Sequence, residues 1–240
     1  MIAVAKAGYR AIAPDFRDYG LSEIPQEPEK ASFSDLIKDL LIIVDSLSIS
    51  KAFIVAKDFG ARPGYLFAIL HPERVRGVVA IGVPFLPPGP SLAFAIRNIY
   101  ILFSKSEIPI APEDKEIMDL VDESHPLPPW FSEEDLSAYA SLYEKSGFHT
   151  ALQVPYRSIN EQFGINNPKL DVPVLVIMGE KDYVLKFPGM EQYISSEKVK
   201  EYVPDMELTS LPEGTHFAQE QFPEQVNELI IKFLSKHNHV

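Results

Sequence analysis

"FIVAKDFGARPGY", residues 53–65, decides how this chain is read. An apolar run enters a Lys-Asp pair, turns at glycine and continues as a helix from about residue 61 to 71, so the stretch is a strand, a tight turn and a helix. A side chain at the tip of such a turn is held out above a sheet, with small residues two before and two after it, here Ala56 and Gly60. The tip is Asp58. The helix behind it aims its first amides and its positive dipole end at the tip, which stabilises an anion there. Taken alone, a strand-Asp-helix pattern reads first as a helix N-cap. Other residues have to decide between the two roles.

Working outward, short strands alternate with helices, the pattern of a parallel sheet covered on both faces. Residues 8–13 (GYRAIA), 52–56, 77–82, 173–178 and 206–210 are the candidate strands, most of them continuous apolar runs bounded by Gly, Pro or Asp. Between the first two, Leu36, Ile37, Leu40, Leu41, Val44 and Leu47 recur at helical spacing, with Ser34 as the expected N-cap. Val226, Leu229, Ile230 and Phe233 do the same after Pro223, in a helix expected to close the fold.

From Pro84 to about Pro168 the alternation stops. Prolines cluster (PFLPPGP, HPLPPW), and helical patterns run near 113–122 and 133–146, the second opening with Ser132-Glu133-Glu134-Asp135, a capping box with Asp in place of Glu or Gln. The expected architecture is an α/β core of residues 1–84 and 169–240 with a helical lid over 85–168.

If Asp58 is a nucleophile on this kind of sheet, an acid at a later strand end and then a histidine must follow it. "VLVIMGEKDYV" supplies Asp182 just past strand 173–178, and "LPEGTHFAQ" supplies His216 just past strand 206–210. Singly these are a turn residue and a loop histidine; in this order they make a triad, with the lid inserted between nucleophile and acid.

Composition narrows the function classes. The 240 residues carry a formal charge of −12 with no Lys/Arg run, which argues against a nucleic-acid partner. The absence of cysteine removes disulfides, a thiol nucleophile and a thiolate metal site, and fits a reducing compartment. No apolar stretch approaches the roughly 20 residues of a membrane span, and the N-terminus lacks a signal-peptide pattern, so a cytoplasmic location is expected. The histidines outside the triad, His71, His125, His149, His237 and His239, show no metal-ligand spacing; neither a metal nor a cofactor is expected.

With these segments in hand the chain resembles, over nearly its whole length, the epoxide hydrolases of the α/β-hydrolase fold, particularly the soluble plant type. The matching segments are PDFRDYGLSE, VAKDFGARPGYLFAILHPERV, LQVPYRS, MGEKDYVLKFPG and PEGTHFAQEQFPEQVN. Asp18 stands where the family commonly has glycine, and Lys57 and Phe59 stand where many members have His and Trp.

The resemblance implies that Asp58 attacks an epoxide carbon to form an alkyl ester, that His216 activates the water that hydrolyses it, and that Asp182 orients the imidazole. It implies an oxyanion donor in the Phe59 amide and a proton donor in Tyr156, a lid tyrosine whose phenol stays protonated at neutral pH. Phe85 and Trp130, with Pro84 and Phe131 beside them, are candidates to line a pocket for a small apolar epoxide, with water as the other reactant and the protein acting as a monomer or homodimer. Family members begin with two or three strands and a His-Gly-x-Pro loop ahead of the helix in which this chain starts. The resemblance therefore implies that N-terminal strands, half of the oxyanion hole and a second lid tyrosine are missing from the chain as written; Tyr100 does not match the latter's motif and reads as a core aromatic. Two rival functions remain. A haloalkane dehalogenase shares the Asp nucleophile but commonly holds halide with a tryptophan next to it, and Phe59 has no indole N–H. A non-catalytic ligand-binding homologue would use the same pocket without turnover.

Overall fold

The computed structural model describes residues 1–86, 104–105, 120, 126–142, 154–155, 158 and 161–238. The chain opens with helix α1 (Ile2–Lys6), followed by α2 (Phe33–Ser46). Strand β1 (Ala52–Lys57) leads through a single turn at Asp58–Gly60 into α3 (Ala61–Leu70), and then β2 (Val75–Ile81) follows. After β2 comes α4 (Glu133–Leu142). The chain returns to the core with β3 (Val174–Gly179), α5 (Met190–Ser195), α6 (Glu197–Tyr202), β4 (Met206–Leu211), α7 (Ala218–Gln221) and α8 (Pro223–Lys236).

The four strands form one parallel sheet in the order β1-β2-β3-β4. Successive residues of β2 and β3 point to opposite faces, and both faces are covered, which is why these strands read as unbroken apolar runs. Val78, Ala80, Val174, Val176 and Met178 pack with Leu36, Ile37, Tyr65 and Phe67 of α2 and α3. Val79, Ile81, Leu175 and Ile177 pack on the other side with Val226, Ile230, Phe233 and Leu234 of α8. Each buried Val, Leu, Ile, Met or Phe among them contributes about 1.5–3 kcal/mol relative to an exposed one.

Residues 8–13 do not form the expected strand; they run without a ladder, and Arg10, Ile12 and Ala13 are exposed. A strand needs a partner for its N–H and C=O groups, and among the described residues no strand lies beyond β1 on that side. β1 is correspondingly an edge strand, and Val55 in its middle is 47% exposed.

The expected N-cap of α2 shifts by one half-turn. Ser32 rather than Ser34 caps it, its amide donating to the Asp35 carboxylate at 3.2 Å in a capping box. Asp serves the same purpose at α4, where the Asp135 carboxylate accepts from the Ser132 amide at 2.9 Å and the Asp135 amide donates back to Ser132 Oγ at 3.1 Å. Asp18, where glycine is usual, has φ 67°, the left-handed region that favours glycine and that Asp tolerates better than most residues. Arg17 beside it forks onto Asp39 of α2 at 2.7 and 2.6 Å and fixes this loop.

Candidate active site

The elbow after β1 places Asp58 at φ 50°, a conformation that costs a non-glycine residue about 1–3 kcal/mol and that the fold around it has to hold. This is not the geometry of an ordinary N-cap, which has extended backbone. The Asp58 carboxylate accepts a hydrogen bond from the Phe59 amide and remains 35% exposed, so a molecule in the site can reach it. The crowding expected at Gly60 lies one turn later. A side chain at Gly60 would meet nothing within 4 Å, whereas a Cβ at Gly64 would sit 3.1 Å from Ile54, where α3 comes closest to β1.

Asp182 follows the turn after β3. It is fully buried, and its Oδ1 accepts from the Val184 amide at 3.0 Å, which fixes the carboxylate's direction. His216 Nδ1 lies 3.0 Å from both Asp182 oxygens. A carboxylate only accepts, so Nδ1 carries the proton and Nε2 presents its lone pair. Nε2 faces Asp58 Oδ2 at 3.4 Å, within ion-pair range but without hydrogen-bond alignment.

Two glycine features make this approach feasible. A Cβ at Gly179 would lie 2.2 Å from the Gly214 carbonyl oxygen, so the acid loop and the histidine loop cross at their backbones, tied by Lys181 N–H to Gly214 O at 2.8 Å. Gly82, at φ 77° after β2, leaves room for the imidazole; a Cβ there would be 3.0 Å from His216 Cε1. The ring contacts Tyr183 at 4.8 Å and lies nearly perpendicular to Phe217 at 5.7 Å.

The electrostatics follow from this crowding. Burial opposes the Asp58 charge, but His216, Lys57 and the Phe59 amide outweigh it and hold the carboxyl below its ordinary range. For His216, burial and the Lys57 charge favour the neutral ring; the carboxylates of Asp182 and Asp58 prevail and raise its pKa. Burial lowers the Lys57 pKa against the pull of Asp58, Asp182 and Glu220.

Asp58, Asp182 and His216 thus come together as the sequence order predicts, with Phe59 beside them. Trp130 packs in a tilted arrangement against Phe217 at 5.7 Å, one residue from the imidazole. Phe85 lies in the core, packed edge-on against Tyr65 at 5.4 Å. Tyr156, Tyr100, His125, His149 and His239 fall outside the described residues. Tyr183, Phe217 and Gly82 enter the site without a sequence signal beyond their places next to Asp182, next to His216 and at the end of β2. Among the described residues there is no cluster of His, Asp and Glu suited to a metal ion, and no helix long and apolar enough to cross a membrane.

The chain as a whole is similar to proteins of known class. A family model described as alpha/beta hydrolase fold matches residues 1–107. Epoxide hydrolase 3 of Siraitia grosvenorii is 28% identical, the match covering 98% of this chain and 86% of that protein. Among solved structures, an epoxide hydrolase from Vigna radiata superimposes with a TM-score of 0.84 at 28% identity, covering 98% of this chain and 85% of that one. Epoxide hydrolase I of potato (Solanum tuberosum) gives a TM-score of 0.82 at 25% identity, covering 98% and 87%. The chain is an α/β-hydrolase-fold protein. Within that fold, the proteins to which it is similar over nearly its whole length are epoxide hydrolases, several of them from plants.

Proposed function

We propose that this protein hydrolyses small apolar epoxides to vicinal diols. One observation carries the reading: a reachable aspartate, rather than a serine, stands at the strained elbow with His216 Nε2 3.4 Å away and Asp182 behind the imidazole. An Asp carboxylate opens an epoxide by displacement at carbon, and the ester it forms carries a carbonyl that belongs to the enzyme.

In the first step an Asp58 oxygen bonds to an epoxide carbon, the ring C–O bond breaks, and the alkoxide takes the phenolic proton of Tyr156. In the second, His216 Nε2 removes a proton from water, and the hydroxide adds to the Asp58 carbonyl carbon. The Phe59 amide, already bonded to this carboxyl group, donates to the resulting oxyanion. Collapse breaks the ester bond. The departing alkoxide takes the imidazolium proton to give the diol, and the proton on the regenerated Asp58 carboxyl returns to Tyr156. Trp130 and Phe217 supply apolar surface beside the imidazole, which suits an apolar substrate. A cytoplasmic location and a monomeric or homodimeric state complete the proposal.

Oxygen bookkeeping gives the test, because the added diol oxygen comes from Asp58 and water refills the carboxylate. A single turnover in ¹⁸O-water should leave the diol unlabelled and put the label on the peptide containing Asp58. Label in the first-turnover diol would mean direct attack by water, and turnover by Asp58→Asn equal to that of the parent would overturn the nucleophile.

A further inference from the structure

Lys57 ends β1 one residue before the attacking aspartate, on a strand whose Phe53 packs toward α8 while Ile54 and Ala56 pack toward α2 and α3. Alternation sends Lys57 to the Phe53 side, and there its ammonium lies 4.7 Å from the centroid of the Phe217 ring. The same ring lies nearly perpendicular to the His216 imidazole and is tilted against Trp130. The ammonium is therefore lodged at a fixed place beside the triad rather than extended into water.

The charges around it are unbalanced without it. Asp58 of the elbow, Asp182 of the acid loop and Glu220 of α7 all act on Lys57, and His216 responds to Lys57, Asp58 and Asp182 together. Glu220 accepts from the Tyr139 hydroxyl of α4 at 3.1 Å, and Tyr183 covers the other side of the imidazole. Carboxylates crowding one buried imidazole favour imidazolium, and an imidazolium cannot take a proton from water.

We propose that Lys57 is a positioning residue of this site: its ammonium, seated on the Phe217 ring, holds the Asp58 carboxylate in its charged, attacking form and keeps the His216 imidazole available as a base. This rests on the hydrolytic reading above. The directions of the shifts agree, since Lys57 pulls the Asp58 pKa down and works against the rise at His216. Removing the charge should weaken ester hydrolysis at low pH more than epoxide binding.

The decisive measurement is the titration of the His216 ring by ¹⁵N NMR in the wild type, Lys57→Met and Lys57→Arg. Lys57→Met should raise the midpoint by about one pH unit, with Lys57→Arg close to wild type. The acid limb of kcat should move with it while KM stays unchanged. A Lys57→Met titration that superimposes on the wild type overturns the proposal. Should the methionine variant fail to fold, Lys57→Gln replaces it, and the wild type offers a second readout. After ¹³C-methylation, the Lys57 amine should titrate below the ordinary lysine value and shift again in Asp58→Asn; an unperturbed midpoint overturns the idea. An inactive wild type would remove the epoxide reading, yet the NMR titration would still decide whether Lys57 governs the imidazole.

Discussion

The centre of the sheet and its edge strand β1 are built differently, and the proposed catalytic groups follow strands of both kinds. β2 and β3 have ladder partners on both edges and helices on both faces; Val79, at the middle of β2, is completely buried. β1 has one partner, and Val55, paired with Val79 across the ladder, is 47% exposed. Asp182 follows the sealed strand β3, His216 follows β4, and Asp58 follows the open strand β1. Asp182 is thus set by the sealed core; His216, although it follows the other edge strand, is tied to that core by the Gly179–Gly214 crossing and by the room Gly82 leaves, while Asp58 depends on the open edge β1 and on the turn that follows it.

The largest expected effect separates Asp58 from His216 chemically. Asp58→Asn should lower turnover by about 10⁴-fold or more, as loss of a nucleophile does, and give no covalent ester. His216→Gln should instead trap the ester, seen by intact mass as Asp58 alkylated at one equivalent. If both variants behaved alike, the division of labour between the two strands would be wrong.

Next in size is the crossing of the acid and histidine loops. Gly179→Ala places a methyl where the Gly214 carbonyl stands, 2.2 Å away, so the loops must part. A cost above about 2 kcal/mol is expected from such overpacking, with the triad pulled out of register as well. Gly60→Ala, where a Cβ meets nothing within 4 Å, should leave both stability and activity near wild type. Thermal melts of the two variants check the contrast.

A gentler version compares paired valines. Val79→Ala should cost about 2 kcal/mol or more by opening a cavity, and Val55→Ala under about 0.5 kcal/mol. Amide exchange in β1 should also outpace that in β2, since one edge of β1 has no ladder partner among the described residues. Equal costs at the two valines would mean that β1 is as well supported as β2.

The same contrast explains what could be read from the sequence. β2 and β3 were legible because burial on two faces forces a continuous apolar run, as in GVVAIG and PVLVIM. GYRAIA has the same local composition, yet residues 8–13 form no strand, because strand formation also requires a neighbour that local pattern does not encode. The proposed triad of Asp58, Asp182 and His216 was legible because a nucleophile, an acid and a base on this kind of sheet follow one another in a fixed chain order. Tyr183, Phe217 and Lys57 meet the imidazole or its neighbours only through folding, and no spacing rule points to them. Gly82 and Gly179 read as strand-end punctuation; their use as clearance for His216 and for the Gly214 crossing is visible only in three dimensions.

The smallest effect is the pH dependence of stability, and its sign follows from the two shifted groups. Asp58 has a folded-state pKa below its unfolded value, so its contribution is present above the unfolded carboxyl range and is lost as pH falls through the folded pKa. His216 is raised, so its contribution is full below the unfolded histidine value of about 6.5 and is lost as pH rises through the folded pKa. The charged pair therefore supports the fold most between about pH 4 and 6.5. Turnover requires the neutral ring and should have its acid limb above about pH 6.5, where this support is already declining. Because Asp58 is partly exposed, solvent screens the pair, and the gain in melting temperature across the window should be no more than about 2–4 °C. In Asp58→Asn the low-pH side of that window should disappear while the Asp182–His216 side remains. Melts at about pH 2.5, 5.5 and 8 distinguish this from a general loss of stability, which would lower all three alike. A uniform drop would show that the open strand, and not the charge on its tip, is what the aspartate supports.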